Sequence, residues 1–155
     1  MGTVNKTERK IKIFNYTWKD LIRYATKLKG SNLVKVIDLI YGIPRGGVVP
    51  SVVLSHYFNI PVIFSQSVSP ITNNSHILIV DDVLETGTTL EKCVNEVSIF
   101  TKNVYTLCLV NKNSKGYPPL CFDKQVNESC WVVFPWEDAS KAYIDKENRE
   151  HRMFK

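Results

Sequence analysis

The sequence has no apolar run approaching the ~18 residues that a membrane-spanning helix needs, so a helical membrane protein is excluded as a first reading. Histidine is scarce. His56, His76 and His151 have no partners at the spacing of a metal site or of a Ser-His or Cys-His nucleophile. Cys93, Cys108, Cys121 and Cys130 form no C-x-x-C pair and no zinc spacing. The opening stretch "MGTVNKTERKIK" is polar and basic where a secretion signal would be apolar. The cysteines are therefore expected to be reduced thiols and the protein to be soluble and cytoplasmic. Net charge is also missing from the body of the chain. The formal excess of +5 arises at the ends, +3 in residues 1–12 and +2 in residues 141–155, which leaves residues 13–140 neutral. Neither a basic groove for nucleic acid nor a membrane partner is expected.

What is present fits one globular unit. With 155 residues and 44% hydrophobic content, the chain predicts a single domain over 1–155, ending in a charged tail from about 140. Strand and helix patterns alternate. "IKIFNY" predicts a short strand, and Thr17-x-x-Asp20 a capped helix that stops at Gly30. "VKVIDLIYGI" predicts a strand, "RGG" a loop, and "VVPSVVLSHYF" a helix that tolerates Pro50 in its first turn. "IPVIFS" predicts a strand and "SPITNNSH" closes a polar loop. A strand over 77–81, a helix over 88–100 and a strand over 103–110 follow, then short segments at "LCFDK" and "CWVVFPWED". Continuous apolar strands alternating with helices imply an α/β fold, a mostly parallel sheet covered on both faces. Ligands of such sheets sit beyond the carboxyl ends of the strands, where Arg45-Gly46-Gly47, Asp81-Asp82 and Asn111-Lys112 all fall.

The stretch "ILIVDDVLETGTTL" carries the strongest chemical signal. Two adjacent carboxylates repel each other, so Asp81-Asp82 at a strand end implies a ligand that rewards the arrangement. Thr86, Gly87, Thr88 and Thr89 bring hydroxyls and backbone donors to a helix N-terminus, where the dipole favours an anion. Upstream, the carboxylates can accept hydrogen bonds from vicinal hydroxyls, directly or through a divalent cation. A phosphosugar has both features. The plainer alternative is an acidic loop with Thr86 or Thr88 capping the next helix. A receiver domain is discarded, because its acidic pair belongs on a first strand and here 76 residues precede the motif strand.

"IVDDVLETGTT" resembles the phosphoribosyl-pyrophosphate motif of the type I phosphoribosyltransferases. "YTWKDLIRYATKL", "IPRGGVVPSVVLSHYFNI", "NKNSKG" and "CWVVFPWED" are similar, in the same order, to segments of the xanthine–guanine enzymes of that family. The resemblance covers most of residues 16–138. It implies the family's fold, with a small hood from the terminal segments, and transfer of a phosphoribosyl group to a 6-oxopurine in nucleotide salvage. It further implies that Asp81 and Asp82 hold the ribose hydroxyls and help organise Mg²⁺, and that Thr86, Gly87, Thr88 and Thr89 bind the 5′-phosphate. By the same implication, Arg45, Gly46 and Gly47 face the pyrophosphate. Lys112 donates to the 6-oxo group, and Trp131 and Val132 wall the base. Glu85 stands where relatives carry Asp, near a base nitrogen that gains or loses a proton. A homo-oligomer is the expected assembly.

On residue type alone, Lys112 is equally a solvent-exposed lysine of a polar loop, and Trp131 and Trp136 equally core aromatics. Two departures from the family pattern bear on function. Residues 61–76 leave little room for the long closing loop of relatives, and Val133-Phe134 replace polar residues, which disfavours a 2-oxo base. A non-catalytic module that binds phosphoribosyl pyrophosphate or a nucleotide is the alternative function.

Overall fold

The structure, a computed structural model, describes residues 12–64, 71–112 and 116–137. The predicted closing tail and the core of the polar loop before residue 71 lie outside the described residues. Strand β1 (Ile13–Asn15) leads into helix α1 (Trp18–Lys29). The Thr17 side chain accepts from the Asp20 N–H while Asp20 accepts from the Thr17 N–H, a reciprocal cap that contributes on the order of 1 kcal/mol. Leu21, Tyr24, Ala25 and Leu28 recur at helical spacing and form the buried face of α1.

Short helix α2 (Asn32–Val36) and strand β2 (Leu39–Gly42) follow, then helix α3 (Val48–Phe58) and strand β3 (Val62–Ile63). Next come strand β4 (Ile77–Leu84), helix α4 (Thr88–Val97) and strands β5 (Val104–Asn111), β6 (Cys121–Gln125) and β7 (Trp131–Val133). Five strands form a sheet in the order β3-β2-β4-β5-β6, every neighbouring pair parallel. Alternation along the strands separates two cores. Ile40, Leu78, Val80, Leu107 and Leu109 pack with α1 and α3 on one face. Tyr41, Ile77, Ile79 and Cys108 pack with α4 on the other. The predicted α/β sheet with helices on both faces is what forms.

Three expectations need correction. The run "VKVIDLIYGI" is not all strand, because β2 finds partners only from Leu39 onward. The residues before it turn into α2, and Leu33 and Val34 pack beside α1. "IPVIFS" contributes only Val62 and Ile63, at the sheet edge. Most consequential for the site, β4 does not end at the acidic pair. β5 extends alongside it, pairing Val83 with Val110 and Leu84 with Asn111, so Asp81 and Asp82 sit inside the strand's last turns of pleat.

A hood stands over the carboxyl edge of the sheet. β1 and β7 pair in parallel, with the Trp131 N–H donating to the Lys12 carbonyl at 2.8 Å and the Tyr16 N–H to Val133 at 2.9 Å. Phe134 stacks on Trp136 at 4.8 Å between centroids, and Trp136 meets Trp18 of α1. The Tyr16 hydroxyl and Arg23 both donate to the buried Asp123 carboxylate, which ties the hood and α1 to β6. Among the described residues, no helix is long and apolar enough to cross a membrane.

Candidate active site

At the carboxyl end of β4 the side chains of Asp81 and Asp82 are half-buried. Asp81 accepts from the Asp82 N–H at 3.0 Å and Asp82 from the Val83 N–H at 2.6 Å. Among the described residues, neither forms an ion pair with a lysine or arginine. Burial pushes the Asp81 carboxyl well above the ordinary carboxylate range, and the neighbouring Asp82 charge adds to this. Burial likewise raises Asp82, helped by the charge of Glu137. The pair thus holds more negative charge than its surroundings compensate, which favours a cation or hydroxyl donors. No three His, Cys, Asp or Glu side chains converge into a metal cage among the described residues. Two carboxylates suffice, however, for a Mg²⁺ that keeps waters and shares substrate phosphates.

The loop after β4 turns at Gly87, whose φ of 81° is a conformation that L side chains rarely adopt. A Cβ there would also meet the Tyr117 backbone, with its carbonyl oxygen at 2.5 Å. Gly87 is the N-cap of α4 and supplies no side-chain cap. Thr86 lies only 3.4 Å from the Thr88 N–H, a marginal contact, and the two threonine hydroxyls are 3.0 Å apart. The threonines are therefore not spent on capping, and the first turn of α4 presents donors to a cavity of about 220 Å³. Asp81, Glu85, Thr86, Gly87 and Thr89 line this cavity, while Thr88 stays outside its lining.

The turn between β2 and α3 approaches the same strand end. A Cβ at Gly46 would fall on the Asp82 carboxylate, so this turn lies directly against the acidic pair. The Gly47 N–H donates to the Ile43 carbonyl at 2.8 Å and opens α3, and the Pro44–Arg45 peptide is cis. Arg45 is exposed and makes no ion pair among the described residues. It lines neither of the two cavities.

A second cavity, of about 190 Å³, adjoins the first through Val83 and Glu85. Asp82, Lys112, Trp131 and Val132 line it together with Phe134 and Glu137. Lys112 is not a solvated loop residue. Its side chain is only 6% exposed, and its ammonium donates to Glu85 Oε1 at 2.7 Å, whereas Glu85 is 55% exposed. Trp131 is a wall of the cavity, and Trp136 belongs to the aromatic cluster of the hood.

Sequence reasoning missed Val83, Tyr117 and Glu137. Glu137 accepts from the Phe134 N–H at 2.9 Å, which fixes one of its oxygens at the cavity wall. Its only sequence signal was an acidic residue following the second tryptophan of the late aromatic segment.

The model of the phosphoribosyl transferase domain family matches residues 62–141, just over half of the chain. Among solved structures, the chain is similar to a purine phosphoribosyltransferase from Pyrococcus horikoshii, at 29% identity and a TM-score of 0.68. That match covers 81% of this chain and 94% of that one. A xanthine-guanine-hypoxanthine phosphoribosyltransferase from Helicobacter pylori matches at 20% identity and a TM-score of 0.63, over 90% and 98% of the two chains. A hypothetical protein from Neisseria gonorrhoeae with bound ppGpp matches at 20% identity and a TM-score of 0.67, over 90% and 95%. With the family model running across β4, its acidic pair and the loop that follows, the chain belongs to the phosphoribosyl transferase domain family.

Proposed function

We propose that this chain, as a single domain over 1–155, is a cytoplasmic, Mg²⁺-dependent purine phosphoribosyltransferase. It transfers the phosphoribosyl group of phosphoribosyl pyrophosphate to a 6-oxopurine and releases pyrophosphate. One observation carries the reading: two cavities share Val83 and Glu85 at the carboxyl end of β4. One is lined by Asp81, Glu85 and a helix N-terminus, the other by a buried lysine, the carboxylates of Asp82, Glu85 and Glu137, and apolar side chains. The similarity to a purine phosphoribosyltransferase supports the base class.

In this reading Asp81 and Asp82 accept from the ribose hydroxyls, and the loop from Thr86 to Thr89 binds the 5′-phosphate. Arg45 and the backbone of Gly46 and Gly47 receive the pyrophosphate. Lys112 donates to the 6-oxo group, and Trp131 and Val132 flank the base. The bond from the anomeric carbon to the pyrophosphate oxygen breaks, its electron pair leaves with pyrophosphate, and a purine nitrogen supplies the new pair as the N–H proton of the base passes to solvent. Positive charge grows on the sugar beside the two carboxylates, and negative charge grows on the leaving group beside Arg45. Mg²⁺ held by Asp81 and Asp82 would supply further charge neutralisation for the pyrophosphate. Positioning of both substrates then accounts for most of the rate, and no covalent nucleophile is required.

Purified protein incubated with phosphoribosyl pyrophosphate, Mg²⁺ and each natural base in turn tests this. Nucleotide should form from guanine and hypoxanthine, and more slowly from xanthine, because Phe134 in the cavity lining and the buried Val133 beside it offer its 2-oxo group no donor side chain. Preferred conversion of adenine would overturn the base assignment. The second reading is a non-catalytic module that binds phosphoribosyl pyrophosphate or a nucleotide. It draws support from the short β3–β4 connection and from the ppGpp bound by the Neisseria protein. Tight binding without pyrophosphate release, with or without a purine, would favour it.

A further inference from the structure

Glu85 occupies the boundary between the two cavities, and the structure gives one of its oxygens a specific task. The Lys112 side chain is only 6% exposed in a cavity lined by apolar side chains and by the carboxylates of Asp82, Glu85 and Glu137, of which Glu85 is its one ion-pair partner among the described residues. A lysine stem is long and flexible, so holding its ammonium at one point in this cavity requires an anchor. Asp82 and Glu137 line the same cavity, so the compensating charge for the ammonium does not rest on Glu85 alone. Glu85 supplies the anchor at 2.7 Å, from a position exposed enough to remain solvated itself. An aspartate at this position would be shorter by one carbon–carbon bond, about 1.5 Å, and would leave the ammonium beyond hydrogen-bond range.

Resting on the phosphoribosyltransferase reading above, we propose that Glu85 is a positioning residue for base choice. It holds the Lys112 ammonium in the base cavity, so that the two remaining N–H donors face the ligand. This role is distinct from accepting the proton of the base nitrogen. Oε1 is committed to Lys112, so accepting the base proton would fall to the second carboxylate oxygen, and substitution can tell the two roles apart. The two roles separate because they depend on different properties of the side chain. Holding Lys112 requires length and an acceptor oxygen, whereas accepting a proton requires a carboxylate.

E85Q keeps the length and the acceptor and loses the carboxylate, while E85D keeps the carboxylate and loses the reach. The steady-state parameters for guanine and adenine are measured for wild type, E85Q and E85D. In parallel, acylation of Lys112 by an amine-reactive probe is read by peptide mass spectrometry on the ligand-free proteins. E85Q should lower kcat/KM for guanine by less than about tenfold and keep the preference for guanine over adenine. E85D should raise KM for guanine more than it lowers kcat and reduce that preference by about tenfold or more. Lys112 should stay protected in wild type and E85Q and become labelled in E85D. The opposite pattern overturns the proposal: E85Q losing kcat by about a hundredfold with base preference intact, E85D retaining kcat, and Lys112 equally labelled in all three. A wild-type protein that converts no purine would count against the phosphoribosyltransferase reading itself. The labelling pattern, which needs no turnover, would still decide whether Glu85 holds Lys112.

Discussion

The two halves of the site are built in different ways. The half proposed for the phosphate comes almost entirely from one stretch, residues 81–90, where a strand end, a loop and the first turn of a helix follow one another directly. The half proposed for the base is assembled from three separate places: the end of β4, Lys112 after β5, and the hood around β7. Backbone geometry dominates the first, through Gly87 and the open N-terminus of α4. Side-chain pairing and apolar walls dominate the second. A contiguous site works through fixed donors that any bound phosphate would use. An assembled site can be tuned to one ligand by changing one contributor at a time.

If this division is right, the largest effect should come from the acidic pair, which touches both halves. Replacing Asp81 and Asp82 together with Asn should lower kcat/KM by about a thousandfold or more, while the thermal midpoint holds or rises because charge repulsion is relieved. A double variant with wild-type turnover would place the site elsewhere. Next in size, K112M should leave the affinity for phosphoribosyl pyrophosphate near wild type and reduce the preference for guanine over adenine by about a hundredfold. A parallel loss of affinity for phosphoribosyl pyrophosphate would mean that the two halves are not separable.

G87A should do the reverse. The strained φ and the encounter with the Tyr117 backbone should lower stability by about 1–3 kcal/mol and raise KM for phosphoribosyl pyrophosphate, with base preference unchanged. Denaturant melts and substrate kinetics check both parts.

The smallest effect concerns pH. The Asp81 and Asp82 carboxyls are raised in the folded protein, mainly by burial, above their ordinary value of 3.8. The folded state therefore binds these protons more tightly than the unfolded chain. The resulting stabilisation is fully present below the ordinary value and is lost as the pH rises through the raised values towards neutrality. In metal-free buffer the melting temperature should carry a component that falls by a few degrees, roughly, across that window, and the double Asn variant should lack it.

The same contrast explains what the sequence revealed. Continuous apolar runs in β2, β4 and β5 disclose a buried parallel sheet, and Thr17 and Asp20 disclose the start of α1. The phosphate half was legible because its residues are adjacent and its glycine and threonines have local reasons to be there. The true end of β4 was not, because it depends on how far β5 runs beside it, a property of two strands together. Lys112 looked like a loop lysine because its burial is created by residues 131–134 and by Glu85, distant in sequence. Glu137 gave only a faint local signal, because its place in the cavity is likewise set by distant residues.

Gly46 lies against the Asp82 carboxylate with no room for even a methyl group between them. The turn that carries Arg45 and the strand that carries the acidic pair therefore share one surface. In the proposed function, displacement of either by a ligand would be felt by the other, so two ligand fragments bound there would not contribute independent free energies. Thermodynamic linkage requires the influence to be mutual: whatever pyrophosphate does to the affinity for the sugar, the sugar does equally to the affinity for pyrophosphate. In that reading, a single missing side chain would make the two proposed subsites one thermodynamic unit.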